Sequence, residues 1–103
     1  MKAAPAAKAE KGKAKLTVLA ENDKARAFEV RYKPGDESTN IPSSSSRVVR
    51  ALKGGMTMRN YADGKTEKNE WKTGEVRINA PSGPYTVKNV GKTEIVLYVV
   101  VLK

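Results

Sequence analysis

The feature of the sequence with the clearest chemical meaning is one arginine that follows four consecutive serines. Arg47 comes directly after the serines at positions 43–46, in a stretch bounded by Gly35 and Gly54. A guanidinium group offers a rigid fork of N–H donors, and neighbouring hydroxyl groups add hydrogen bonds, so the combination suits a carboxylate or a phosphate. A solvated or salt-bridged arginine on a surface loop is the plainer interpretation. The stretch therefore predicts an anion site only if the fold turns Arg47 inward.

Two residue types that carry much enzyme chemistry are absent. The chain has no histidine and no cysteine, which removes the commonest metal ligand, the usual general base near neutral pH and any thiol nucleophile. The serines have no histidine to activate them, and a serine–lysine pair has no support in the sequence. Glu67 and Glu70 would point to opposite faces of one strand, so they do not form an acid/base pair. These absences weigh against an enzyme and favour a protein without a metal or cofactor.

The chain is basic, and its N-terminal segment differs from the rest. The 103 residues carry a formal net charge of +9, which attracts acidic partners at long range. Residues 1–15 hold five lysines and one glutamate without a hydrophobic period. We predict a disordered basic tail there and one folded domain over residues 16–103. Nucleic-acid binding is not favoured, because single-strand readers interleave aromatic and basic residues and the aromatic residues here are scattered.

The sequence predicts no membrane segment. Its longest apolar run, Ile95–Leu102, is far shorter than the ~20 residues of a membrane-spanning helix. The N-terminus also lacks the apolar centre of a signal peptide. We expect a cytoplasmic location by default, and a periplasmic one if the alanine-rich N-terminus is the trimmed end of a secreted precursor.

From residue 16 onward the sequence is typical of an all-β protein. Short runs rich in β-branched residues each end at a turn signal, and the pair Asp63 and Gly64 favours a hairpin. No 3.6-residue apolar period indicates a helix in this region. Eight strands are predicted, over residues 16–19, 25–33, 47–53, 56–61, 67–71, 75–79, 85–90 and 95–102.

The alternation of side chains along the predicted strands assigns their faces. Val76 and Ile78 are predicted to point inward, and Met56 and Met58 to share one face as core or pocket lining. The run Ile95–Leu102 is apolar at every position. That pattern predicts a central strand packed on both faces.

Two segments resemble the paired sequence motifs of the cupin superfamily. Gly35 and Gly54 bound a stretch with the spacing of the first motif, and Gly74, Gly83 and Asn89 follow the pattern of the second. The resemblance extends over residues 16–103. It implies a cupin-like jelly-roll β-barrel, also called a double-stranded β-helix, with a pocket between its sheets. It also implies a homodimer.

The metal-binding positions of these motifs carry other residues in this chain. In cupins they are three histidines and a glutamate that hold a divalent metal. Here the resemblance places Ile41, Ser43, Arg47 and either Tyr85 or Thr86 at those positions, and we prefer Tyr85. Isoleucine cannot ligate, the hydroxyl groups are poor ligands at neutral pH, and a guanidinium repels a cation. We expect no metal and take Ile41, Ser43, Arg47 and Tyr85 as candidate pocket residues.

These observations leave three hypotheses of different classes. The leading one is a metal-free, non-enzymatic binding module that holds a small polar or anionic ligand in the barrel, with Arg47 as the charged anchor. The second is a structural protein that serves as a dimerisation scaffold through the strand Ile95–Leu102 and its neighbours. The third is a metal-independent enzyme of the isomerase or epimerase type, as some cupins are, although the absence of histidine weighs against it.

Overall fold

The computed structural model describes residues 12–38, 45–81 and 84–103. The candidate residues Ile41 and Ser43, and residues 1–11 of the predicted tail, lie outside these ranges. Within them the chain forms eight strands and no helix, so no helix there could cross a membrane. The strands are β1 (Lys15–Glu21), β2 (Ala25–Tyr32), β3 (Arg47–Lys53), β4 (Gly55–Tyr61), β5 (Thr66–Trp71), β6 (Val76–Asn79), β7 (Tyr85–Asn89) and β8 (Ile95–Leu102).

The strands form two antiparallel sheets that face each other. The larger sheet has five strands in the order β1-β2-β8-β3-β6, and the smaller has three in the order β5-β4-β7. The chain passes repeatedly from one sheet to the other, as the predicted jelly roll requires, and the all-β prediction is confirmed. The core between the sheets comprises Phe28, Val30, Tyr32, Val49, Ala51, Trp71, Tyr85, Val87, Ile95, Leu97 and Val99.

Strand β8 lies at the centre of the large sheet, between β2 and β3. Its inward residues Ile95, Leu97 and Val99 are buried, as the apolar sequence predicts. On the opposite face Val96 is also buried, at 3% exposed, whereas Tyr98 and Val100 are half-buried. The expectation that β8 packs on both faces is therefore met along the inner face, and on the outer face only at Val96 in the single chain.

Strand β6 faces the opposite way from the prediction. The side chain of Ile78 is 76% exposed and that of Val76 is 55% exposed, so both point outward. The inward positions belong to Arg77, which lies over the ring of Trp71, and to Asn79, which lines a cavity. The prediction assumed that apolar residues mark the buried face. At this sheet edge the polar residues have specific partners inside, and those contacts decide the orientation.

The two methionines of β4 also lie on the face opposite to the predicted one. Met56 and Met58 are half-buried and pair in register with Glu70 and Lys68 of β5. The residues that line the cavity from this strand are Thr57 and Arg59. A side chain as long as arginine can cover apolar surface with its methylene groups while its charge stays near water. This accounts for an arginine on the inner face and methionines on the outer one.

Contacts between the two sheets close the barrel on both sides. On one side Arg77 of β6 lies 4.1 Å from the ring centre of Trp71 in β5 and donates a hydrogen bond to the carbonyl of Glu70. On the other side Glu37 forms isolated bridges with Lys13 and with Lys88 of β7. The N–H of Ala14 also donates to the carbonyl of Glu37. Lys13 and Ala14, which the sequence assigns to the tail, thus contact the barrel.

Candidate functional site

A cavity of about 470 Å³ lies between the two sheets. Its volume is within the range of roughly 300–1,000 Å³ that is usual for small-molecule sites. Four basic residues and one acidic residue are among those that line it, so its charge is predominantly positive. The charged and polar residues of the lining are Lys13, Arg26, Glu37, Ser38, Arg47, Thr57, Arg59 and Asn79, together with the phenols Tyr32 and Tyr85.

Arg47 is the most deeply placed of the basic lining residues. It is the first residue of β3 and is only 7% exposed. In the large sheet it pairs with Asn79 of β6 on one side and with Val101 of β8 on the other, and Val101 pairs in turn with Arg26 of β2. Since residues in register share one face of a sheet, Asn79, Arg47 and Arg26 form a polar row across its inner side. The fold therefore turns Arg47 inward, as the anion-site hypothesis requires.

The small sheet contributes a second basic group beside aromatic rings. The guanidinium carbon of Arg59 lies 4.4 Å from the ring centre of Tyr85. Arg59 also donates a hydrogen bond to the hydroxyl of Tyr61, at 3.4 Å, and this hydroxyl donates to a carboxylate oxygen of Glu67 at 3.1 Å. The rings of Tyr61 and Tyr85 are 5.8 Å apart. Aromatic residues that are scattered in the sequence thus form a pair that positions Arg59.

Tyr85 and Thr86, the two alternatives for the second motif, occupy different faces of β7. Tyr85 is 4% exposed and lines the cavity. Thr86 is half-buried, and its hydroxyl donates to a carboxylate oxygen of Glu37 at 2.8 Å. The structure therefore brings Tyr85 and Arg47 to the same cavity and directs Thr86 to another contact.

Tyr32 is the cavity residue whose ionisation is most strongly altered. Burial raises the pKa of its phenol to about 12, and a nearby Tyr85 adds to this rise. A hydrogen bond with Ser38 and the charge of Arg47 act in the opposite direction on the pKa. Because burial dominates, Tyr32 remains a neutral hydroxyl over the whole physiological pH range.

This raised pKa predicts a loss of stability at high pH. The folded state holds the Tyr32 proton more tightly than the unfolded chain does, so the stabilising effect is complete below pH ~10 and disappears as the pH rises toward about 12. A pKa shift of this size corresponds to about 2–3 kcal/mol of the free energy of unfolding. Urea unfolding of the wild type and of Tyr32→Phe at about pH 9 and about pH 11.5 measures the difference. The wild type should lose more stability than the variant over this interval, and equal losses would contradict the assignment.

Sequence reasoning missed several residues of the site. Arg26, Arg59 and Asn79 line the cavity. None of them lies at a motif position, and nothing in the sequence of their strands distinguishes them from solvent-facing polar residues. The alternation of inward and outward side chains along each strand was the one signal that could have identified them. In β4 it places Arg59 on the same face as Thr57, and Thr57 is 1% exposed.

The described residues do not suit the divalent metal that the resemblance implies. Among them no group of three or more carboxylate, imidazole or thiol side chains could hold an ion. Arg47 occupies the position of the motif's glutamate and lines the cavity, where its permanent charge would repel a cation. The phenol of Tyr32, with its pKa raised to about 12, is a neutral donor there and a poor ligand.

Comparison with known proteins identifies the architecture. No protein-family model and no curated protein sequence matches the chain. Solved structures do match. A cupin domain from Bordetella pertussis superposes with a TM-score of 0.80 at 23% identity, over 88% of this chain and 94% of that one. A conserved protein with a double-stranded β-helix domain from Klebsiella pneumoniae gives a TM-score of 0.70 at 17% identity, over 88% and 77% of the two chains.

A third structure agrees with these two. An RmlC-like cupin family protein with a double-stranded β-helix fold from Methanocaldococcus jannaschii gives a TM-score of 0.69 at 13% identity, over 88% of this chain and 81% of that one. At such identities the similarity concerns the backbone and not the site. The topology of the two sheets, the paired motifs and these superpositions lead to one conclusion: the chain has the cupin fold.

Proposed function

We propose that this protein is a binding module that holds a small anionic ligand in its barrel without a metal ion. The observation that carries the proposal is Arg47, a buried guanidinium on the wall of a cavity that is lined mostly by apolar and aromatic side chains. A charge in such a place interacts more strongly with an opposite charge than it would in water, because the surrounding dielectric is low. Arg26 and Arg59 line the same cavity and increase its preference for anions.

Thermal unfolding in the presence of a ligand panel tests this function. The protein is treated with a chelator and then heated with small carboxylates, phosphates and sulfonates, each paired with a neutral amide or alcohol of similar shape. A ligand that binds the folded state raises the unfolding midpoint. We expect the midpoint to rise with anions and not with their neutral partners. Equal effects of the two groups, or no effect of any anion, would contradict the proposal.

We further propose that the protein forms a homodimer, with the outer face of the large sheet as the interface. Its central row is apolar across all five strands, and two of its members, Val48 and Val100, are only half-buried. The two chains would be related by a two-fold axis that is parallel to β8 and lies midway between their outer faces. Strand β3 of one chain would then lie over β2 of its partner, and this row would lie against its own copy. The row is Ile78, Val48, Val100, Ala27 and Ala20.

The charges beside this row agree with the same arrangement. Arg50 of β3 and Glu29 of β2 both pair in register with Tyr98 of β8. The two-fold axis along β8 would bring Arg50 of each chain opposite Glu29 of the other, so opposite charges meet at both ends. The face is therefore complementary to a second copy of itself, which favours a homodimer as the partner that covers it.

Light scattering on purified protein tests the dimer. We expect the wild type to be dimeric at tens of micromolar, and Ile78→Lys to be monomeric because it places a charge in the apolar row. Arg50→Glu and Glu29→Arg should each weaken the dimer, and the double variant should restore it. A monomeric wild type, or a double variant no tighter than the single ones, would rule out this interface.

A further inference from the structure

The inner face of the large sheet changes from polar to apolar along the direction of its strands. The outermost row consists of Asn79, Arg47, Val101 and Arg26. The next two rows inward are apolar on the three central strands, β3, β8 and β2. They are Val49, Val99 and Phe28, followed by Ala51, Leu97 and Val30.

The small sheet follows the same gradient. Arg59 and Tyr85 lie toward the end of β4 and the beginning of β7. At the other end of the barrel the side chain of Asn89 donates to the carbonyl of Tyr32, at 3.0 Å, and Gly55 lies against the side chain of Ile95. These contacts fix which ends of the two sheets coincide. The arginines of both sheets therefore gather at one end of the cavity.

The polar groups away from the arginine end have partners within the protein. The hydroxyl of Thr57 donates to the carbonyl of Asn69 at 3.2 Å, and the phenol of Tyr32 shares a hydrogen bond with Ser38. The charge of Arg77, at the edge of the second row, is paired with Glu75 at 2.7 Å. A ligand therefore need not supply polar groups in this part of the cavity, and an apolar body would be preferred there.

We propose that the ligand is an organic acid in which one anionic head is attached to an apolar body. Its carboxylate would lie among Arg47, Arg26 and Arg59, and its hydrocarbon part against the two apolar rows. This inference rests on the proposed anion-binding function and restricts it to a chemical class. It excludes inorganic anions and polar sugar phosphates as the preferred ligands, since they would leave the apolar rows unsatisfied.

Titration calorimetry with straight-chain acids tests the class. Acetate, butanoate, hexanoate and octanoate share one head and differ only in apolar length. Affinity should rise about threefold to fourfold with each added methylene group until the cavity is filled, at one ligand per chain. 1-Octanol and octylamine, which lack the negative charge, should bind at least about tenfold more weakly than octanoate. Trp71, the only tryptophan in the chain, lines the cavity and gives an independent fluorescence signal.

A matched pair of variants locates the apolar part of the ligand. Val99→Thr replaces a methyl group of the inner row by a hydroxyl of nearly the same size. It should reduce the increase in affinity that each added methylene group of the acid gives. Val90→Thr makes the same change at a position that is 40% exposed and outside the cavity lining, so octanoate affinity should not change. If both variants behaved alike, the assignment of the apolar body to the inner rows would be wrong.

The possible outcomes separate this inference from the function on which it rests. Flat affinity along the acid series, together with binding of phosphate or a sugar phosphate, would overturn the apolar-acid class and leave anion binding intact. Octanol or octylamine binding as tightly as octanoate, or the absence of binding by every anion tested, would overturn both. Rising affinity along the series with weak binding of the uncharged and cationic partners would support both.

Discussion

An Arg47→Met variant is expected to bind the tightest anion of the ligand panel about 10- to 150-fold more weakly than the wild type. The substitution keeps most of the side-chain volume and removes the charge. A hydrogen bond to a charged group typically contributes about 1.5–3 kcal/mol, which corresponds to this range. Arg47 is 7% exposed on the cavity wall, so solvent cannot replace it. Titration calorimetry on both proteins at the same ionic strength measures the difference.

Two further variants show whether the loss belongs to this site. Lys68→Met removes the same charge from an exposed position on the outer side of β5 and should leave the affinity within about twofold, because exposed charges are screened by salt. Arg47→Lys keeps the charge but loses the two-pronged geometry and should fall between the wild type and Arg47→Met. Equal losses in Lys68→Met and Arg47→Met would show that only net charge matters. Circular dichroism and urea unfolding confirm that each variant is folded.

An Asn89→Ala variant is expected to lower the free energy of unfolding by about 2–4 kcal/mol. The side chain of Asn89 is 1% exposed. It donates to the carbonyls of Tyr32 at 3.0 Å and Thr93 at 2.8 Å, and it accepts from the N–H of Gly91 at 2.9 Å. The substitution leaves these three backbone groups without a partner and opens space in the core. Urea unfolding measures the change.

Two comparisons isolate the hydrogen bonds of Asn89. Asn60→Ala removes the same side chain from the outer side of β4, where Asn60 is half-buried, and should cost less than about 1 kcal/mol. Asn89→Asp keeps the shape but turns an oxygen toward two carbonyl oxygens, so it should destabilise the protein despite its similar size. A stable Asn89→Asp protein would indicate that packing, and not the hydrogen bonds, accounts for the contribution of Asn89 to stability.

The architecture could be predicted from the sequence because its local signals agree with one another. Every predicted strand overlaps an observed one, and β3 and β8 match residue for residue. In β2 the alternation of Phe28, Val30 and Tyr32 with charged residues gives the buried face directly. Turn residues and β-branched runs are local properties, so they can be read without knowledge of the tertiary structure.

The orientation of β6 could not be predicted, because it depends on contacts between distant segments. Ile78 and Arg77 alternate, and an apolar-inside rule selects Ile78. The fold selects Arg77 because Trp71 from the other sheet offers its ring and Glu75 offers a carboxylate. If the outer face dimerises as proposed, Ile78 is buried after all, against a second chain.

The site was predicted in part. The resemblance to the cupin motifs implied that Arg47 and Tyr85 face one pocket, and both residues line the cavity. Ile41 and Ser43 stay predictions, because they lie outside the described residues. Arg59 and Arg26 could not be found in this way, because the strand register that brings them near Arg47 is a property of the assembled sheets.

Native mass spectrometry of the protein purified from its own cell, with metal analysis of the same sample, tests the central claim most directly. The claim is that the cavity holds a small organic anion without a metal ion. The account predicts a mass increase equal to one small organic acid per chain and no stoichiometric transition metal. A stoichiometric zinc, iron, manganese or nickel ion would contradict it, as would a bare chain that also binds no acid of the series in solution.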